Sequence, residues 1–123
     1  MNTNEIIVEL LKKNYPIESE TVGPSNLQDI TESEVDFVQA DNGSYMDLGS
    51  AIGALVVATS FIKNIIDMYA SLKKELGRKP ENTEIKTAIK EDMFQKLDAK
   101  IREQLINEII QKLDERAIEE RYE

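Results

Sequence analysis

The fold is decided by residues 48–76, which read LGSAIGALVVATSFIKNIIDMYASLKKEL. The first part of this stretch, 48–62, carries no charge, and the second part has apolar residues at helical spacing opposite charged ones. Asp47 precedes the stretch as a candidate N-cap, and Gly77 and Pro80 follow it as helix-ending residues. The stretch therefore predicts one long, largely buried central helix.

Small residues line two adjacent faces of this predicted helix. Gly49 and Gly53 form a GxxxG pattern, and Ala54 and Ala58 continue a line of small side chains. Helix backbones can approach closely along such a line and gain dispersion contacts and weak Cα hydrogen bonds. The pattern predicts a helix-packing face, which contacts another helix of the same chain or else serves dimerisation or packing in a membrane.

The same helix bears on whether the chain enters a membrane. Its uncharged run, 48–62, has fifteen residues, whereas a transmembrane helix needs about 20. Lys63 and Asp67 interrupt any extension of that run. The length favours the core helix of a soluble protein, with a membrane-associated helix as the alternative.

The C-terminal third, residues 81–121, is expected to be helical because no glycine or proline follows Pro80. Apolar residues recur there every four positions, so the apolar stripe rotates by about 40° at each step and lies on no single face. A helix of about 38 residues would be roughly 57 Å long, against a diameter of roughly 35 Å for a compact globule of this size. We therefore expect this helix either to bend or break near 91–100 or to project from its domain.

A projecting C-terminal helix would leave a large apolar patch bare unless another chain covered it. Apolar residues in the second half of the helix would form that patch and serve as partner-binding anchors. They are Leu105, Ile106, Ile109, Ile110 and Leu113. This interpretation implies a homo-oligomer or an obligate protein partner.

The N-terminal part of the chain predicts one short helix followed by an irregular connector. Asn2 or Thr3 can cap a helix over 4–13. Pro16 closes that helix, since proline cannot continue its hydrogen bonds. Residues 18–47 then contain eight acidic residues, no basic residue and no sustained apolar period, which indicates an exposed acidic connector.

One short helix is expected inside this connector. Thr31 and Glu34 fit a capping box, in which the threonine hydroxyl accepts from the glutamate amide and the glutamate carboxylate accepts from the threonine amide. The box predicts a helix over 32–40. A strand over 35–38 is the alternative.

The charge of the chain is concentrated in the connector and bears on its partners. The net charge is −9, with no basic residue between Lys13 and Lys63. Direct binding of nucleic acid, which needs clustered Lys and Arg, is therefore not expected. Glu32, Glu34 and Asp36 are instead a candidate docking surface for a basic protein partner. An acidic run can also mimic nucleic-acid phosphates and block a basic channel, which is an alternative function.

Composition excludes several kinds of chemistry. The 123 residues contain no histidine and no cysteine, so His-dependent catalytic triads, zinc fingers and redox CxxC sites are excluded. No catalytic group, metal site or cofactor is expected. The N-terminus lacks the basic region of a secretory signal, so the expected location is cytoplasmic.

Together these observations predict a mainly α, elongated helical bundle in a single domain over 1–123. It has a short N-terminal helix, an acidic irregular connector over 18–47, a central apolar helix over 48–76 and a long C-terminal helix over 81–121. The expected function is that of a non-enzymatic assembly or adaptor protein that self-associates. The alternatives are an acidic inhibitor of a basic nucleic-acid-handling partner and a membrane-associated helical protein.

Overall fold

The structure, a computed structural model, describes residues 2–32, 46–89 and 97–121, and at 46–48 and 118–121 it describes the backbone alone. Over these residues the chain forms helices and no strand, so the mainly α fold is confirmed. The helices are α1 (Thr3–Asn14), α2 (Pro16–Val22), α3 (Pro24–Glu32), α4 (Met46–Leu76), α5 (Asn82–Ala88) and α6 (Ala99–Arg121).

Backbone contacts divide the chain into two compact units. The N-terminal unit is Asn2–Ser60 and the C-terminal unit is Phe61–Glu123. Helix α4 supplies residues to both, its first half to the N-terminal unit and its second half to the C-terminal unit. The single domain expected over 1–123 stays a prediction.

Helix α1 begins where the sequence predicts. The Asn2 side chain accepts a hydrogen bond from the Glu5 amide at 2.9 Å, and the Glu5 carboxylate accepts one from the Asn2 amide at 3.5 Å. This capping box satisfies two amides that the first turn of a helix leaves unpaired. The apolar residues on one face of α1 are fully buried: Ile6, Ile7, Leu10 and Leu11. The predicted N-terminal helix and its Asn2 cap are confirmed.

The first part of the expected irregular connector is helical, so this prediction was wrong. Pro16 is the first residue of α2, a position whose amide needs no helical partner. Gly23 then takes a φ of +84°, which glycine adopts readily, and separates α2 from α3. Residues of both short helices are buried: Ser19, Val22, Leu27, Ile30 and Thr31. Both helices pack on α1, and this tertiary packing stabilises segments too short to be helical alone.

Thr31 is not the N-cap of a new helix, so the predicted cap was wrong, while residues 33–40 of the helix predicted over 32–40 lie outside the described residues. It lies in the last turn of α3, where it is fully buried and its hydroxyl donates to the carbonyl oxygen of Gln28 at 2.8 Å. The Thr31 side chain therefore forms its hydrogen bond with an earlier residue of its own helix. Glu34 and the alternative strand over 35–38 lie outside the described residues.

Helix α4 confirms the predicted central helix. It begins at Met46, so Asp47 lies inside the first turn and not at the expected N-cap. At the other end Gly77 has a φ of +68°, and its amide donates to the carbonyl oxygen of Lys73 at 3.0 Å. This left-handed glycine cap ends the helix at Leu76, as predicted.

The C-terminal segment forms two helices and not one continuous rod. Helix α5 begins after Glu81, whose amide donates to the Glu84 carboxylate at 2.9 Å. It ends before Ile89, where the backbone is extended with a ψ of 130°. Helix α6 begins at Ala99, and residues 90–96 lie outside the described residues. The sequence predicts that this helix bends or breaks near 91–100 or else projects from its domain. The structure shows the break, between the end of α5 at Ala88 and the start of α6 at Ala99.

Candidate functional site

The apolar patch expected on the C-terminal helix is not bare. All five residues expected to anchor a partner are at most 5% exposed in the single chain: Leu105, Ile106, Ile109, Ile110 and Leu113. These side chains belong to the interior and not to a projecting face. Partner contact through them stays a prediction that their burial does not support.

The four predicted helix-packing residues of α4 differ in their exposure. Ala58 is fully buried, Gly49 and Ala54 are partly exposed, and Gly53 is exposed. A Cβ atom added at Gly53 would meet no atom within 4 Å. Over the part of the chain that the structure describes, no helix crosses closely over Gly53.

The first half of α4 has a buried and an exposed face. The buried face has residues at most 4% exposed: Ala51, Leu55, Ala58 and Thr59. An adjacent face, which we call the α4 open face, is defined by five partly or fully exposed residues: Gly49, Ile52, Gly53, Val56 and Ser60. At 3.6 residues per turn, the residues of the open face lie within about 100° of arc. None of them is charged, so the open face is a neutral and mostly apolar strip.

Helix α4 is only partly buried over the residues that the structure describes. By length and composition, Gly49–Leu76 is sufficient to cross a membrane, and 44% of its most apolar window is buried. Core helices of soluble proteins pass the same test. Over the described ranges, α4 therefore keeps some apolar surface exposed to water.

The acidic docking residues fall largely outside the described part of the chain. Glu32 is exposed at the end of α3, and its carboxylate accepts a hydrogen bond from the Gln28 side chain at 2.6 Å. Glu34 and Asp36 lie outside the described residues. The acidic docking surface stays a prediction.

A polar network in the C-terminal unit was missed by the sequence analysis. The Tyr69 hydroxyl on α4 donates to the Asp114 carboxylate on α6 at 3.1 Å. The Lys79 ammonium lies 2.5 Å from the other oxygen of the same carboxylate. Tyr69 and Asp114 are 45 positions apart, so no local pattern connects them. The network joins α4 to α6 within this unit.

The network shifts the ionisation of Tyr69. Burial, the hydrogen bond to Asp114 and the negative charge of Asp114 raise the pKa of Tyr69 from 10.0 to about 12. A raised pKa means that the neutral phenol is favoured by folding. Its contribution to stability is therefore complete below pH 10.0 and is lost as the pH rises through about 12.

We expect Tyr69→Phe to lower the free energy of unfolding at neutral pH by about 0.5–1.5 kcal/mol, because it removes the hydrogen bond to Asp114. It should also reduce the loss of stability between pH 10.0 and about 12, since the group with the raised pKa is gone. Urea unfolding at a series of pH values measures both effects. An unchanged alkaline profile would contradict the role of Tyr69.

Tyr15→Phe is the matched control. The Tyr15 hydroxyl is buried and has no hydrogen-bond partner over the described ranges 2–32, 46–89 and 97–121. Removing it gives up no hydrogen bond and relieves the cost of burying a polar atom. We expect Tyr15→Phe to leave the stability unchanged or to raise it by up to about 1 kcal/mol.

A cavity of about 210 Å³ lies in the C-terminal unit beside α5 and the first turns of α6. We call it the α5–α6 cavity. Its described lining combines apolar with charged side chains: Phe61, Ile89, Ala99 and Ile106, with Lys86, Arg102 and Glu103. The sequence analysis missed it, because the cavity depends on how the broken C-terminal helix folds.

Neither metal ligation nor similarity to known proteins supplies a function. Among the described residues no group of three acidic side chains is placed to hold a metal ion. No protein-family model matches the chain, and no curated protein or solved structure is significantly similar to it. The α4 open face and the α5–α6 cavity are the candidate binding sites among the described residues.

Proposed function

We propose that the chain is a cytoplasmic, non-enzymatic assembly or adaptor protein that self-associates through the α4 open face. The observation that carries the proposal is the difference in exposure between two adjacent faces of α4. Its buried face is covered by the chain, whereas over the described residues the neutral strip beside it is left in contact with water. In a chain with 32% charged residues, covering such a strip removes apolar surface from water without burying a charge.

A second copy of the chain fits the open face in both charge and shape. The chain has a net charge of −9, but the open face is uncharged, so two copies meet there without opposing like charges. A twofold dimer brings the same patch of both copies together. Gly49 and Gly53 let the two backbones approach closely, and Ile52 and Val56 of each copy can pack beside the glycines of the other.

We expect Gly53→Leu to abolish self-association while stabilising the monomer. The leucine side chain would separate the two helices of the dimer. Within one chain it has room, because nothing lies within 4 Å of an added Cβ, and replacing a mid-helix glycine raises the stability by about 0.5–1 kcal/mol. Light scattering over a concentration series measures the mass, and urea unfolding at low concentration measures the monomer stability.

Ala70→Leu is the control for added bulk. Ala70 is exposed on the second half of α4, away from the open face, so this variant should keep the wild-type mass. A wild type that is monomeric at every concentration would refute self-association. A Gly53→Leu variant that keeps the wild-type mass would place the interface elsewhere.

A membrane-associated function is the second candidate, favoured by the length and hydropathy of Gly49–Leu76. It predicts that the purified chain floats with phosphatidylcholine vesicles and needs detergent to stay in solution. Self-association through the open face predicts a defined oligomer in detergent-free buffer and no flotation. Vesicle flotation of the wild type therefore discriminates the two.

A further inference from the structure

The α5–α6 cavity has an apolar wall that is well shielded from water. Phe61 is fully buried, Ile106 is 4% exposed and Ile89 is 8% exposed. Ala99, the first residue of α6, adds a small apolar side chain to the lining. A volume of about 210 Å³ equals the share of about seven water molecules in the liquid, at roughly 30 Å³ each. The cavity therefore suits a molecule of about eight heavy atoms.

The charged residues of the lining leave one positive charge unbalanced. The Lys86 ammonium lies 3.1 Å from the Glu103 carboxylate, so these two charges balance each other. Arg102 is half-buried, and its guanidinium has no ion-pair or hydrogen-bond partner among the residues that the structure describes. The Arg102 guanidinium therefore lies half-buried beside an apolar wall, although the chain as a whole has a net charge of −9.

We propose that the α5–α6 cavity binds a small carboxylic acid, with its carboxylate on Arg102 and its apolar tail against Phe61 and Ile106. A guanidinium presents parallel N–H groups that match the two oxygens of a carboxylate. The apolar wall lowers the local dielectric constant, which strengthens the ion pair. The cavity volume limits the tail to about five or six carbons.

The charge balance selects this ligand class over two others. A neutral apolar molecule would fill the space but leave the Arg102 guanidinium without a partner. A phosphate monoester carries between one and two negative charges, and Glu103 in the same lining would oppose the additional charge. With the described lining residues, one ligand carboxylate balances the Arg102 guanidinium.

Hexanoate, with eight heavy atoms, is the probe for this site. We expect saturable binding to the full chain by isothermal titration, with amide shifts in ¹⁵N NMR spectra concentrated at Ala99, Arg102 and Ile106. Hexanol lacks the carboxylate and acetate lacks the tail, so each should bind at least about tenfold more weakly. Absence of saturable hexanoate binding at millimolar concentration, or equal binding of hexanol, would overturn the proposal.

Variants of the lining separate the contributions of charge and shape. Arg102→Gln should weaken hexanoate binding by about tenfold or more, because it removes a charge-assisted hydrogen-bonded pair. Lys100→Gln removes a positive charge from the same turn of α6 but not from the lining, and it should change the affinity by less than about twofold. An equal loss in both variants would mean general charge attraction and would overturn the site.

Ala99→Leu tests the cavity without changing any charge. Its larger side chain is expected to occupy the space of the tail and to abolish hexanoate binding while Arg102 remains. The unfolding midpoint of each variant shows that the fold is kept, so a loss of binding is read as a change in the site. Wild-type affinity in Ala99→Leu would show that hexanoate binds elsewhere.

Discussion

Ile109→Asp is expected to unfold the C-terminal unit and to lower the free energy of unfolding by more than about 4 kcal/mol. Ile109 is fully buried in α6. The substitution removes the packing of a core isoleucine, which by itself costs about 2–5 kcal/mol. It also places a carboxylate among apolar side chains, where the carboxylate is either protonated or left as an unpaired charge. Urea unfolding followed by circular dichroism measures the loss.

The matched control is Gln111→Asp, which introduces the same side chain at an exposed position of the same helix. It should change the stability by less than about 0.5 kcal/mol. The hypothesis of a bare contact surface at residues 105–113 makes the opposite prediction, since Ile109→Asp together with Leu113→Asp would then dissociate an oligomer and leave the monomer stable. A folded double variant with the wild-type unfolding midpoint would contradict the burial of these residues.

The parts of the fold that could be predicted from the sequence are those with signals inside a few consecutive residues. The side chain of Asn2 is three residues from its capping partner Glu5, and Gly77 directly follows the last residue of α4. The start of α1 and the end of α4 both depend on local hydrogen bonds, so the local sequence is sufficient to predict them. Residues 48–62 of α4 carry no charge, and such a run predicts a helix with a buried face.

The short helices α2 and α3 could not be predicted because their helicity depends on tertiary contacts. Each has fewer than ten residues, below the length at which a helix is stable alone. Their apolar residues are too sparse for a clear period, and only Gly23 separates the two helices. The packing of both on α1 determines their structure.

The C-terminal segment shows how a break in the helix buries a rotating apolar stripe. The rotation of its apolar stripe indicates that one straight helix cannot bury it, and the structure breaks the segment into α5 and α6. Once broken, the two pieces pack together, with Asn82 donating to Asn107 at 2.6 Å and Lys86 donating to Glu103 at 3.1 Å. The break therefore allows burial within the chain, and the sequence analysis had assigned that burial to a partner.

Local spacing and tertiary packing also determine which residues of the candidate sites could be predicted from the sequence. The glycines of the α4 open face were found from their spacing, but which side of α4 the chain covers depends on the packing of other elements. The α5–α6 cavity had no signal, because Phe61 and Arg102 are distant in sequence. The spacing of residues in the sequence is sufficient to predict one face of a helix. A cavity between elements can be identified only once the fold is known.

Ile30→Ala is expected to lower the free energy of unfolding by about 2–5 kcal/mol, and it tests whether the predicted connector is a packed part of the molecule. Ile30 lies on α3 and is 5% exposed. Its truncation leaves a cavity in the N-terminal unit where the isoleucine packed. An irregular, solvated connector would instead lose almost nothing. Urea unfolding of the purified variant measures the change.

Ile17→Ala is the matched control, since it makes the same substitution on α2 at a residue that is 76% exposed. Little apolar surface is buried there, and alanine has a higher helix propensity than isoleucine. We expect its stability to be within about 0.5 kcal/mol of the wild type. Equal small effects of the two variants would mean that α3 does not pack as described. A large effect at Ile30 alone would place the segment Pro16–Glu32 in the core-forming part of the N-terminal unit, because burial is what distinguishes the two isoleucines.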